Sequence, residues 1–158
     1  MNRDSLINWF LKQNRKSVKV KERKIMTNAE KVSKFLDEVK VFYLLTIDGE
    51  QPKGRPFGFH LLDGNRIYFG TATVKKCYQQ LAKNPHVEIL ALSGQEFLRY
   101  DGVAKIVKDE NLTNKVREAI PQIMDMYDKN GLEMGLFYLE NGTAEICTAI
   151  AQKEKFEV

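Results

Sequence analysis

With 158 residues, 43% of them hydrophobic, the chain has the size and apolar supply of one domain with its own core. No apolar run reaches the length of a membrane-spanning helix, and the opening residues, with Asp4 and only LINWFL apolar, lack the pattern of a secretory signal. Two cysteines, Cys77 and Cys147, and two histidines show neither metal-ligand spacing nor a CxxC pair, which argues for no metal site and for reduced thiols in a cytoplasm.

The formal net charge of +4 is unevenly held. Residues 1–26 carry eight Lys/Arg against two Asp/Glu, which leaves 17 against 19 for the rest. The basic character therefore belongs to an arm, read here as a short helix around Leu6–Leu11 and a solvated linker. Such an arm is also the footprint of a nucleic-acid or anionic-surface contact. The solvated linker is the preferred reading, with no nucleic acid and no membrane as partner.

From Asn28, AEKVSKFLDEVK spaces Val32, Phe35, Leu36 and Val39 as one face of an amphipathic helix that leads into the sheet. Val41–Ile47 is a β-branched and aromatic run closed by Asp48-Gly49, a strong turn signal. Lys53–Leu62 alternates as a second strand, with Arg55, Phe57 and Phe59 on one side and Pro56, Gly58 and His60 on the other. Proline and glycine inside a strand weaken pairing, which fits an edge, a bulge or a ligand close to the backbone. Asp63-Gly64-Asn65 turns the chain into a third strand, Arg66–Thr71.

Thr73 then stands where a helix cap belongs, followed by Val74, Cys77 and Leu81 at helical spacing. Lys75 and Lys76 fall in the first turn, where the helix dipole disfavours cations by up to about 1 kcal/mol. An anion at that tip reverses the sign, because free N–H groups and two ammonium groups would face it. Arg55 adds a bidentate fork if its strand lies beside the helix start. A phosphate is the natural candidate.

Asn84-Pro85 ends this helix, and Val87–Leu92 and Phe97–Val107 read as strands about Ser93-Gly94, with Gly102 marking a bend. Asp109–Ala119 and Gln122–Lys129 read as helices separated by Pro121. Leu136–Glu140 and Thr143–Ile150 read as a hairpin around Asn141-Gly142, and QKEKFEV as a polar tail outside the core. The sum is a mainly β chain of about six to seven antiparallel strands, a small barrel with flanking helices. Its boundaries are an arm at 1–26, a barrel domain at 27–150 and a tail at 151–158.

The ordered series VFYLLTIDGEQPKGRPFGF, DGNRIYFGT and VKKCYQQLAKNPHVEI resembles the pyridoxamine 5'-phosphate oxidase-like family of FMN-binding split β-barrels. Within it, the likeness is to short bacterial members related to nitroimidazole-resistance proteins, and it spans about Asn28 to Ala149. Met26 is then a second candidate start, since MTNAEKV opens where the likeness begins. The resemblance implies a homodimer with FMN bound at the subunit interface. By position, it implies that Arg55 and Lys75 or Lys76 hold the FMN phosphate and that Pro56, Phe57 and Gly58 run along the flavin ring. It further implies that Phe69, Gly70 and Thr71 border the ribityl chain and ring, and that Phe97 reaches the flavin of the other subunit.

No catalytic residue is assigned. His60 reads either as a proton donor or as a packed strand histidine, with packing preferred; Tyr68, Tyr78, Tyr100 and Cys77 read as core. A flavin carries the redox chemistry itself, so no dedicated acid or base is required. The family's true pyridoxamine phosphate oxidases carry arginine and histidine in a longer C-terminal segment, and this sequence has neither after Arg117. The expected activity is therefore an FMN-dependent oxidoreductase that moves electrons from a reduced nicotinamide to a small acceptor, a nitro compound or quinone. The alternative is a non-catalytic flavin or haem carrier or sensor, with His60 the one candidate haem ligand.

Overall fold

Residues 25–158 are described by the computed structural model, and the helix expected around Leu6–Leu11 lies outside them. Thr27 starts the first helix, α1 (Asn28–Val39), through a reciprocal cap. Its hydroxyl accepts from the Glu30 N–H at 3.1 Å, and the Glu30 carboxylate accepts from the Thr27 N–H at 2.8 Å. Val32, Phe35 and Leu36 turn inward as their spacing requires.

Eight strands and three further helices follow. The strands are β1 (Phe42–Asp48), β2 (Gln51–Phe57), β3 (His60–Asp63), β4 (Arg66–Ala72), β5 (His86–Ser93), β6 (Glu96–Val107), β7 (Met134–Thr148) and β8 (Gln152–Glu157). Helix α2 (Lys76–Lys83) joins β4 to β5, while α3 (Glu110–Ala119) and α4 (Pro121–Lys129) join β6 to β7. The Asp109 carboxylate accepts from the Leu112 N–H to cap α3, and Pro121 opens α4 at its first turn rather than merely separating two helices.

The strands pair antiparallel in the order β2-β1-β5-β6-β7-β4-β3, with β8 also on β7. Strand β6 runs along one edge of β7, while the other edge is shared: β4 takes Met134–Tyr138 and β8 takes Thr143–Cys147. The sheet forks there, giving the split form of a barrel. Phe42, Leu44, Phe69, Ile89, Leu98 and Phe137 fill the main core. A smaller cluster of Leu112, Val116, Met124 and Leu136 lies under α3 and α4.

Three expectations are corrected. Lys53–Leu62 is two strands broken at Gly58-Phe59, and they pair at opposite ends of the sheet, β2 on β1 and β3 on β4. The side-chain alternation survives the break because Phe57 packs against the main core while Phe59 packs against the smaller cluster. Asn141-Gly142 is no hairpin turn but an irregularity inside the continuous β7. Asn141 holds φ +52°, and the pairing with β6 slips between Asp101 and Val103, opposite the expected bend at Gly102. A Cβ on Gly142 would stand 2.5 Å from Tyr100 Cε2, so the glycine makes room for that buried ring.

The tail is the third correction and the source of the eighth strand. QKEKFEV is the edge strand β8, and Phe156 and Val158 pack against the main core. Charged residues protect such an edge from further pairing, which is why the segment reads as polar.

Candidate cofactor groove

Strand pairing sets Arg55 opposite Leu44, on the core-facing side of the sheet, diagonal to Thr46 on β1. Arg55 Nη1 donates to Thr46 Oγ1 at 2.7 Å, and Nη2 donates to Gln80 Oε1 at 2.9 Å. The Thr46 hydroxyl donates to the same Gln80 oxygen at 2.7 Å, closing a ring of three hydrogen bonds. Gln80 arrives from α2, so the strand of Arg55 does lie beside that helix. Both partners are buried, and both are neutral. Among the described residues, no carboxylate lies within ion-pair distance of Arg55.

The helix tip differs from its sequence reading by two residues. Thr73 does not cap it: the Thr73 N–H donates to the Glu133 carbonyl, and one more turn closes from the Lys75 N–H to the Ala72 carbonyl. Lys75 is the cap residue, makes no side-chain capping bond, and Lys76 is the first helical residue. No acidic residue stands in the first turn, and both lysines are exposed. Unsatisfied N–H groups, the dipole and two ammonium groups thus present one sign of charge.

Between the β2–β3 crossing and the α3–α4 corner runs a groove of about 260 Å³. Pro56, Phe57, Gly58, Gly70, Thr71 and Lys75 line one side, six of the ten residues expected to hold a cofactor. Phe59, and Met134 of β7 next to Gly70, extend that side, while Ile120, Ile123 and Tyr127 line the other. Those five are absent from the sequence-based set. Ile120, Ile123 and Tyr127 recur at helical spacing, the pattern of ordinary core, and only the fold sets them against the break between β2 and β3. Burial pushes the Tyr127 phenol above its ordinary pKa, partly offset by a backbone hydrogen bond with Ala72, so the hydroxyl keeps its proton at neutral pH.

The other expected residues lie apart from the groove lining. Phe69 is fully buried, its ring centroid 5.8 Å from that of Phe42 and 5.6 Å from that of Phe137. Strand alternation gives the groove its neighbour Gly70 instead. Lys76 lines a separate hollow with Asp48 and Lys83, and Phe97 lines an apolar one with Leu92, Thr148 and Ile150. Arg55 sits in its ring of hydrogen bonds.

His60 is a packed strand histidine. Its Nε2 lies 3.0 Å from Ser33 Oγ and 3.5 Å from Asp37 Oδ1, and its ring meets Phe42 edge-on. Burial lowers its pKa, with Asp37 opposing. It ties β3 to α1. Cys77 is buried with its Sγ 3.4 Å from the Thr71 hydroxyl. Among the described residues, no group of three or more His, Cys, Asp or Glu is placed to hold a metal, and no helix is long and apolar enough to cross a membrane.

A family model described as pyridoxamine 5'-phosphate oxidase matches residues 29–137. A NimC/NimA family protein from Clostridium acetobutylicum is 29% identical, with a TM-score of 0.75 over 84% of this chain and 95% of that one. The haem storage protein HutZ from Vibrio cholerae is similar at 19% identity and a TM-score of 0.56, over 73% and 90% of the two chains. An FAD-binding protein from Mesorhizobium loti is similar at 15% and 0.54, over 77% and 96%. At such identities the last two speak for the fold alone. No curated protein matches by sequence. The forked sheet, the match across most of its strands and the Nim relative agree: this chain belongs to the pyridoxamine 5'-phosphate oxidase family.

Proposed function

We propose that the chain binds FMN in the groove beside α2 and works as an FMN-dependent oxidoreductase on a small acceptor. The observation that carries this reading is Arg55, a fixed cation without a carboxylate partner among the described residues, held against the helix whose tip is uncapped and dibasic. That donor set suits a phosphate monoester. Arg55 with Lys75 or Lys76 holds the phosphate. Pro56, Phe57 and Gly58 lie along the ring, and Gly70 and Thr71 border the ribityl chain and ring, with Phe69 contributing backbone only. In a homodimer, Phe97 of the partner subunit completes the site.

A bound flavin supplies hydride acceptance from a reduced nicotinamide and delivery to a nitro or quinone-like acceptor. The chain's own part is to bind and orient. Phe57, Ile120, Ile123 and Met134 keep water from the groove, and the neutral Tyr127 hydroxyl offers a hydrogen-bond donor within it. Pyridoxamine phosphate is not the substrate proposed, since residues 118–158 hold no arginine or histidine for a second phosphate. The buried free thiols Cys77 and Cys147 suit a reducing cytoplasm.

Relatives on this fold include both a flavin binder and a haem storage protein, so the fold does not choose between them. The side chains favour flavin. His60 Nε2 is engaged by Ser33, and His86 lines a different hollow. Titration of flavin-free protein with FMN and riboflavin tests the reading: FMN should bind tighter by about tenfold or more, since riboflavin lacks the charge-assisted bonds. Equal affinities, or no binding, refute it. Steady oxidation of NADH or NADPH with a quinone or nitroaromatic then separates an enzyme from a carrier.

A further inference from the structure

Among the described residues, two of the other three arginines are fixed by carboxylates, and Arg66 lies over the Tyr138 ring. Arg99 pairs with Glu88 at 2.9 Å, and Arg117 pairs with Asp128 at 2.7 Å. Arg55 has no such carboxylate among the described residues, and the two groups that hold it, Thr46 and Gln80, are buried and neutral. An arginine only donates hydrogen bonds, so the Gln80 atom facing it must be the carbonyl oxygen. The Thr46 hydroxyl accepts from Arg55 and donates to that same oxygen, which locks the amide in this orientation. A glutamate at position 80 would present an oxygen at the same reach and bond the guanidinium more strongly. The chain has an amide there.

We propose that Gln80, locked by Thr46, is a positioning residue that sets specificity for a phosphorylated ligand: it fixes Arg55 without neutralising it. Thr46 and Gln80 are 2% and 8% exposed, so a carboxylate in this place would act on Arg55 with little solvent screening. It would hold the guanidinium firmly and cancel most of its pull on an anion. The neutral oxygens use two donors of the guanidinium, and leave its charge and remaining N–H groups to the ligand. This deepens the FMN reading and rests on Arg55 as a phosphate anchor.

The test is Gln80→Glu in the full chain, with FMN and riboflavin affinities and the melting temperature of the flavin-free protein as readouts. FMN should weaken by about tenfold or more, riboflavin should stay within about twofold, and the melting temperature should hold or rise. A merely structural role for Gln80 would instead lower the melting temperature and weaken both ligands together, and that result overturns the proposal. So does an unchanged preference for FMN. If Gln80→Glu does not fold, Thr46→Val decides: freeing the amide should cut the FMN-over-riboflavin ratio by about threefold or more, and an intact ratio overturns the proposal. A wild-type protein with no preference for FMN would remove the phosphate reading and this inference with it; preference in the wild type retained in both variants removes only this inference.

Discussion

Arg55→Ala separates the anchor from the scaffold around it. In the flavin-free protein the substitution deletes the bonds to Thr46 and Gln80, but leaves the 2.7 Å bond between those two residues in place. Neither partner is stranded, so the fold should lose only about 1 kcal/mol. FMN loses a charge-assisted bond to its phosphate, on the order of 1.5–3 kcal/mol, which converts to about tenfold to about 150-fold in Kd. Riboflavin has no phosphate and should bind as before. Fluorescence titration of flavin-free protein with each ligand reads both numbers, and urea unfolding reads the stability. Parallel weakening of FMN and riboflavin would mean that Arg55 shapes the groove rather than gripping an anion. Unchanged FMN affinity would mean that the phosphate lies elsewhere.

Replacing Lys75 and Lys76 together with Gln should weaken FMN and leave riboflavin unchanged, while the flavin-free protein gains a few tenths to about 1 kcal/mol from relief of the dipole conflict. A drop in its urea midpoint contradicts that. Phe69→Ala should cost about 3–5 kcal/mol in urea unfolding, because a fully buried ring leaves a cavity between Phe42 and Phe137; a loss below about 1 kcal/mol would place Phe69 outside the core. His60 has a folded-state pKa below its ordinary value, so the unfolded chain takes up the proton first as pH falls. Its contribution is present above the ordinary histidine range and lost as pH drops through that range to the folded pKa. His60→Gln should flatten the fall in urea midpoint between about pH 7 and about pH 5, and a variant as steep as the wild type contradicts the assignment.

Much of this architecture was legible because its signals are local. The inward face of α1, the turns at Asp48-Gly49 and Asp63-Gly64-Asn65, and the strand from Arg66 each follow from a few neighbouring residues. What failed depends on partners distant in sequence. Asn141-Gly142 carries the same local preference in a bulge as in a turn, and only Tyr100 and Asp101 on β6 decide between them. The break at Gly58 is hidden because Phe57 and Phe59 keep alternating while they enter different clusters. The helical wall of the groove has the spacing of plain core, and nothing local announces that Tyr127 faces a groove. Gln80 was invisible as a functional residue, since its meaning comes from Arg55, 25 positions earlier. The dibasic helix tip, by contrast, is an electrostatic conflict written in adjacent residues, and such conflicts are readable before any fold is known.

A crystal structure of the protein grown with FMN measures the central claim directly. The account predicts phosphate oxygens within about 3 Å of the Arg55 guanidinium and of a donor at the tip of α2, with the ring beside Pro56–Gly58. A phosphate seated away from both Arg55 and that tip would contradict it.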